Sequence, residues 1–152
     1  MIKHLWTLVC RESKLDALTN NISIIDSLES MQFSLNTEDP NYKKGSAISA
    51  PFNFEVVSLF FRDSLNEDSL IYETIIVLDP KGQKLGEFKA KVQFEEGKNR
   101  MRSILKSNMI ALTVSGTYVF QIFSSLKDSG ANKEMIVALP VDISVTVNGE
   151  QI

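Results

Sequence analysis

Few side chains in this sequence are able to do covalent or metal chemistry. It holds one histidine, His4, and one cysteine, Cys10. Nucleophilic catalysis by a Ser/His/Asp or Cys/His arrangement uses an imidazole as base, so any such centre would have to be built on His4. His4 stands two residues before Trp6, where a surface or strand-end position is the simpler expectation. Cys10 shares its parity with Trp6 and Leu8, which predicts a small buried apolar side chain, whereas a reactive thiolate needs an exposed, electropositive setting. One histidine and one cysteine cannot supply the four nitrogen or sulfur ligands of a structural zinc. With no glycine-rich phosphate loop either, the expectation is a chain that is not an enzyme and carries no cofactor.

Carboxylates offer a different chemistry. Asp63, Glu67 and Asp68 share one polar connection, Asp79 lies in a turn, and Asp39 and Asp128 lie in other loops. Calcium takes several oxygen ligands from such loops, so a site would arise if they converged at one end of the domain. No D-x-D-x-D-G loop supports this, and loops are hydrophilic in any case.

Charge is spread unevenly along the chain. Residues 81–106 hold eight basic residues (Lys81, Lys84, Lys89, Lys91, Lys98, Arg100, Arg102, Lys106) against three acidic ones, a net of +5. Residues 51–80 hold Arg62 against six acidic residues, a net of −5. Neighbouring strands of opposite sign would neutralise each other across a sheet. The functional alternative is a basic patch of Lys98, Arg100, Arg102 and Lys106 that docks an acidic partner. The formal net charge of −3 argues against a dedicated nucleic-acid binder. Phe88 and Phe94 fall on the opposite parity from Lys89 and Lys91, and so would sit in a core rather than stack on bases.

The elements that position these residues are strands. Ile110, Leu112, Val114, Gly116, Tyr118, Phe120 and Ile122 share one parity, which predicts a β-hairpin turning at Ser115-Gly116. A second hairpin joins 70–78 to 84–95 through Asp79-Pro80-Lys81-Gly82, with Pro and Gly where a type I turn favours them. Further strands are expected at 3–11, at 22–35 with a bend near 27–30, at 52–62, and at 135–147 with a break at Pro140. Residues 36–51 form the longest loop, and 97–107 hold a short helical turn. Leu5, Val9, Val57, Leu59 and Phe61 add a second apolar side to their strands, to be covered by a bent sheet, a loop or a second subunit.

Seven to nine strands without βαβ alternation predict an all-β, two-sheet antiparallel sandwich, immunoglobulin-like or C2-like. At 152 residues it forms one domain over 1–152, large enough to bury roughly 68–70% of its unfolded surface. The lone cysteine, the lack of a secretory apolar core and the lack of a membrane-length apolar run predict a cytoplasmic protein without membrane contact.

The block Trp6-Thr7-Leu8-Val9-Cys10, with Leu15-Asp16, Thr19 to Ile25, Leu28-Glu29 and Gly116-Thr117-Tyr118-Val119-Phe120, resembles small uncharacterised bacterial β-sandwich proteins classed as domains of unknown function. That resemblance implies the fold and a bacterial origin, and brings no activity or site residue. The expected function is a non-catalytic binding module with a protein partner, a second copy of the chain among the candidates. The alternative is a calcium- or small-ligand-binding sandwich using its end loops.

Overall fold

The computed structural model describes residues 1–65 and 69–152; Glu67 and Asp68 of the acidic connection lie outside the described residues. The described chain is all β. Its strands are β1 (Ile2–Leu15), β2 (Ile22–Ser27), β3 (Ser30–Leu35), β4 (Ile48–Arg62), β5 (Leu70–Leu78), β6 (Lys84–Gln93), β7 (Arg100–Leu112), β8 (Gly116–Ser125), β9 (Glu134–Val147) and the two-residue β10 (Glu150–Gln151). One sheet runs β2-β1-β4-β7 and the other β10-β9-β8-β5-β6, with β3 added in parallel along β9. Every other pairing is antiparallel.

Alternation drives the packing. On β4, Val56 and Phe60 face the opposing sheet while Val57 and Leu59 face away. On β6, Phe88 packs on the core and Val92 is buried, while Lys89 and Lys91 are exposed. The main core joins Val9, Phe54, Val56, Ile75, Val77, Tyr118, Phe120, Ile122, Ile143 and Val145, with Phe54 edge-on to Phe120 at 6.0 Å between ring centres.

Five expectations need correction. The loop expected over 36–51 is shorter, because β4 begins at Ile48 and its first residues, Pro51 included, pair with β7. The predicted hairpin at Ser115-Gly116 is an arch: β7 pairs with β4 in one sheet, β8 with β5 and β9 in the other. Both strands point the same parity into one core, and parity reports the face of a strand but not its partner. The single bent strand over 22–35 is two strands in different sheets, separated at Leu28-Glu29. No helical turn occupies 97–107; β7 begins at Arg100. Nor does Pro140 break β9. It pairs with Val119, and β3 reaches β9 only from Asp142 onward, so Pro140 sits where that side of β9 is an edge and a missing N–H is tolerated.

The arch is tied down by one tyrosine. Tyr118, fully buried, donates its hydroxyl to the Val114 carbonyl at 2.8 Å and accepts from the Thr113 N–H at 2.9 Å. A tyrosine hydroxyl bonded to backbone a few residues upstream is a mark of immunoglobulin-type sandwiches. The Thr113 hydroxyl donates to Asp79, whose other oxygen accepts the N–H groups of Lys81 and Gln83, so the arch and the β5–β6 turn are stitched together. Burial pushes the Asp79 carboxyl up, but Thr113, the two N–H groups and the Lys81 charge outweigh it and hold the group below the usual carboxylate range. The fold is an immunoglobulin-like two-sheet sandwich.

Candidate docking face

The basic residues singled out in the sequence fall largely on one surface. Along β7, Arg100, Arg102, Ile104 and Lys106 share a parity and pair with Phe61, Leu59, Val57 and Glu55 of β4. Those β4 residues face away from the core, and β1 continues the rows: Leu59 pairs with Trp6, Val57 with Leu8, and Glu55 with Cys10. The outer face of the four-stranded sheet is therefore an apolar field of Trp6, Leu8, Val57, Leu59, Phe61 and Ile104, bordered along its β7 edge by Arg100, Arg102 and Lys106. A register shift between His4 and Trp6 sets this face. It also corrects the sequence assignment of Val9, which points into the core opposite Val56.

Part of the field is covered by the chain itself. The hairpin of β1 and β2 is pinned at two places: Ser13 donates to Glu55 on the outer face, and the carbonyl of Asn20, at the hairpin end, accepts from Arg102 Nη1 at 2.8 Å. Val57 and Cys10 are fully buried, while Trp6, Leu8, Leu59, Phe61 and Ile104 stay half-buried. Burial and the Glu55 carboxylate push the Cys10 thiol up, against the Glu12 backbone hydrogen bond, and leave it an unreactive packing group.

The four basic residues differ in what already occupies them. Lys106 pairs with the buried Glu55 at 3.3 Å. Arg102 holds the hairpin, but its Nε, shielded from solvent, has no acceptor among the described residues. Arg100 is exposed and makes no ion pair among the described residues. Lys98 lies in the turn before β7, and the turn is clamped from below. Arg62, 3% exposed, donates from Nε to the Lys98 carbonyl at 2.9 Å and from Nη2 to the Glu95 carbonyl at 3.2 Å, with its guanidinium 5.2 Å above the Phe94 ring centre. Nothing in the residue pattern marks this clamp beyond a cation ending an apolar strand.

Charge cancellation between β5 and β6 does not occur as the sequence suggested. Glu73 of β5 points into the core, and Glu87 of β6 bridges Lys84 and Lys89 of its own strand. Among the described residues, the facing pair of opposite charge that neutralises the basic row is Glu55–Lys106.

His4 lines a separate open cleft of about 660 Å³ with Met1, Phe60, Ser125 and Glu134. Its Nε2 meets the Thr7 hydroxyl at 2.7 Å, and its ring lies edge-on to Phe60. Burial lowers its pKa, opposed by a hydrogen bond with the Trp6 backbone. The contacts continue inward: Thr7 meets Ser58 at 2.8 Å, and Ser58 donates to Glu73. The imidazole is committed to its own strand and to this chain of hydroxyls.

Among the acidic loop residues, Asp79 has both oxygens engaged, Asp39 accepts the Asn41 N–H and Asp63 pairs with Lys3 at 3.0 Å. No grouping of three or more His, Cys, Asp or Glu suited to a metal occurs among the described residues. No helix of the described residues is long and apolar enough to cross a membrane.

No family model matches the chain, and no curated protein matches it. Among solved structures, an immunoglobulin-like protein from Pseudomonas aeruginosa aligns over 91% of this chain and 97% of its own, with 11% identity and a TM-score of 0.32.

Proposed function

We propose that this sandwich is a non-catalytic interaction module that binds a protein partner through the outer face of its β2-β1-β4-β7 sheet. One observation carries the reading: half-buried Trp6, Leu59 and Phe61 share a face with Arg102 and with Arg100, which makes no ion pair among the described residues, so apolar anchors and cations stand side by side. Aromatic and arginine side chains dominate the binding energy of protein interfaces, and the exposed Arg100 guanidinium favours a partner that brings a carboxylate. Lys98 extends the basic border, and Lys106 tunes it less because Glu55 already holds it. A cytoplasmic setting fits the single buried cysteine.

The test is quantitative capture from the host with three baits: the natural chain, Leu59→Asp and Arg100→Glu. A common protein lost from both variants, with the variants' thermal midpoints unchanged, supports the face. Retention of the same proteins by all three baits rejects it. Calcium added at millimolar concentration should leave the thermal midpoint in place; a concentration-dependent rise would favour the end-loop reading instead.

A further inference from the structure

The two strands that end their sheets, β6 and β7, run beside each other along one side of the sandwich. A slot of about 210 Å³ lies in this seam, floored by Phe54, Val77, Phe88 and Phe120 and edged by Met109 and Ile110. Its origin is a missing side chain. Gly86 pairs with Val77 on the inward face of β6, in series with Phe88, Ala90 and Val92. A Cβ built on Gly86 would meet only the far edge of Phe88 at 3.8 Å, an ordinary contact. Gly86 is not among the glycines with positive φ, so its backbone does not call for glycine either. Glycine inside a strand marks a bulge or a place where another backbone approaches closely; a bulge does lie beside Gly86, and the absent side chain leaves room there for a group from outside.

We propose that this seam is a second docking site, which takes an extended acidic segment of a partner protein along β6 and one of its apolar side chains into the Gly86 slot. An edge strand presents unpaired N–H and C=O groups that a partner strand completes, while a pocket for alternate side chains supplies selectivity. A bulge fixes where pairing starts: Val77 faces Gly86 but Leu78 faces Lys84, leaving Leu85 as the extra residue. The regular edge is residues 86–93. Charge decides which partner fits. β6 carries Lys84, Lys89 and Lys91 against Glu87, a net of +2, and Glu87 is already shared by Lys84 and Lys89. An acidic strand is matched to this edge, whereas a second copy would bring the same net positive charge against it. The site is distinct from the outer face of the other sheet and stands independently of it.

A ten-residue synthetic peptide alternating valine and glutamate, with one central phenylalanine, tests the proposal by fluorescence anisotropy and by amide exchange across residues 84–93. The expected result is saturable binding with slowed exchange on β6. Gly86→Val fills the slot with a strand-favouring side chain, so it should weaken the peptide at least about tenfold without lowering the thermal midpoint. Should Gly86→Val fail to fold, a peptide with glutamate replacing the phenylalanine decides, and it should lose binding to the natural chain to a similar degree. Absence of binding at millimolar peptide, equal affinity for Gly86→Val, or equal affinity of the phenylalanine-free peptide would overturn the proposal.

Discussion

Glu73 lies between the two sheets, 1% exposed, with hydroxyl groups and, among the described residues, no cation as its polar neighbours. Burial raises its pKa, and the Ser103 and Ser58 hydroxyls pull only partly the other way. Its Oε2 has no hydrogen-bond partner among the described residues. A carboxyl whose folded pKa is raised contributes stability that is fully present below the ordinary glutamate range and is lost as pH rises through the folded value. Glu73→Gln removes the ionisation while keeping the shape. It should match the natural chain in urea unfolding near pH 4 and exceed it by roughly 1–3 kcal/mol at pH 8, the cost of a poorly satisfied buried polar group. Equal pH slopes for the two proteins would show that Glu73 ionises freely. Gly116 makes a contrasting case, because there glycine is required. Its φ is +144°, and an added Cβ would sit 2.8 Å from Pro80 Cγ. Gly116→Ala should therefore lower stability by about 1–3 kcal/mol, read as a drop in the urea midpoint, through strain at the arch.

At the scale of elements, the β1–β2 hairpin is held by its ends. Asp16 caps the turn by accepting the N–H groups of Leu18 and Thr19 at 2.9 and 2.7 Å, while Arg102 tethers the Asn20 carbonyl. Leu18 at the tip is 96% exposed, so apolar burial does not hold the tip down. Arg102→Ala should speed amide exchange across residues 11–27 while changing global stability by only about 1 kcal/mol or less, because exposed elements open locally. Unchanged exchange would mean that the hairpin rests on its own turn alone. The same elements show how far the sequence could be read. The hairpin expected over 70–78 and 84–95 was legible to within two residues, its second arm ending at Gln93, because Asp79 to Gly82 carries turn chemistry and Phe88, Ala90 and Val92 alternate cleanly. The start of β7 was not. Ser103 occupies an inward position there because it faces the Ser58 and Glu73 cluster, and Thr7, Ser58 and Glu73 likewise put polar atoms where the pattern demands apolar ones. A buried hydrogen-bond network erases the periodicity that marks a strand. The basic row was legible as composition, but its union with Trp6, Leu59 and Phe61 depends on registers between distant strands, which side-chain parity does not encode.

For the whole molecule, the decisive relation is that both sheets share one interior. The main core draws Val9, Phe54 and Val56 from one sheet and Ile75, Tyr118, Phe120 and Val145 from the other, and the smaller cluster of Phe60, Ile71, Val92 and Phe94 also joins the two. Neither sheet can leave without exposing the apolar face of its partner, at about 25 cal/mol for each Å² uncovered. Two aromatic reporters sit on opposite layers: Trp6, the single tryptophan, on the outer face of one sheet, and Tyr118 in the core under the arch of the other. Unfolding followed by tryptophan fluorescence and by near-ultraviolet tyrosine dichroism should give coincident midpoints and one slope, as a single cooperative domain over 1–152 requires. Separated midpoints would divide the chain at the sheet interface and would assign the Thr7–Ser58–Glu73 contacts to a seam that opens before the rest.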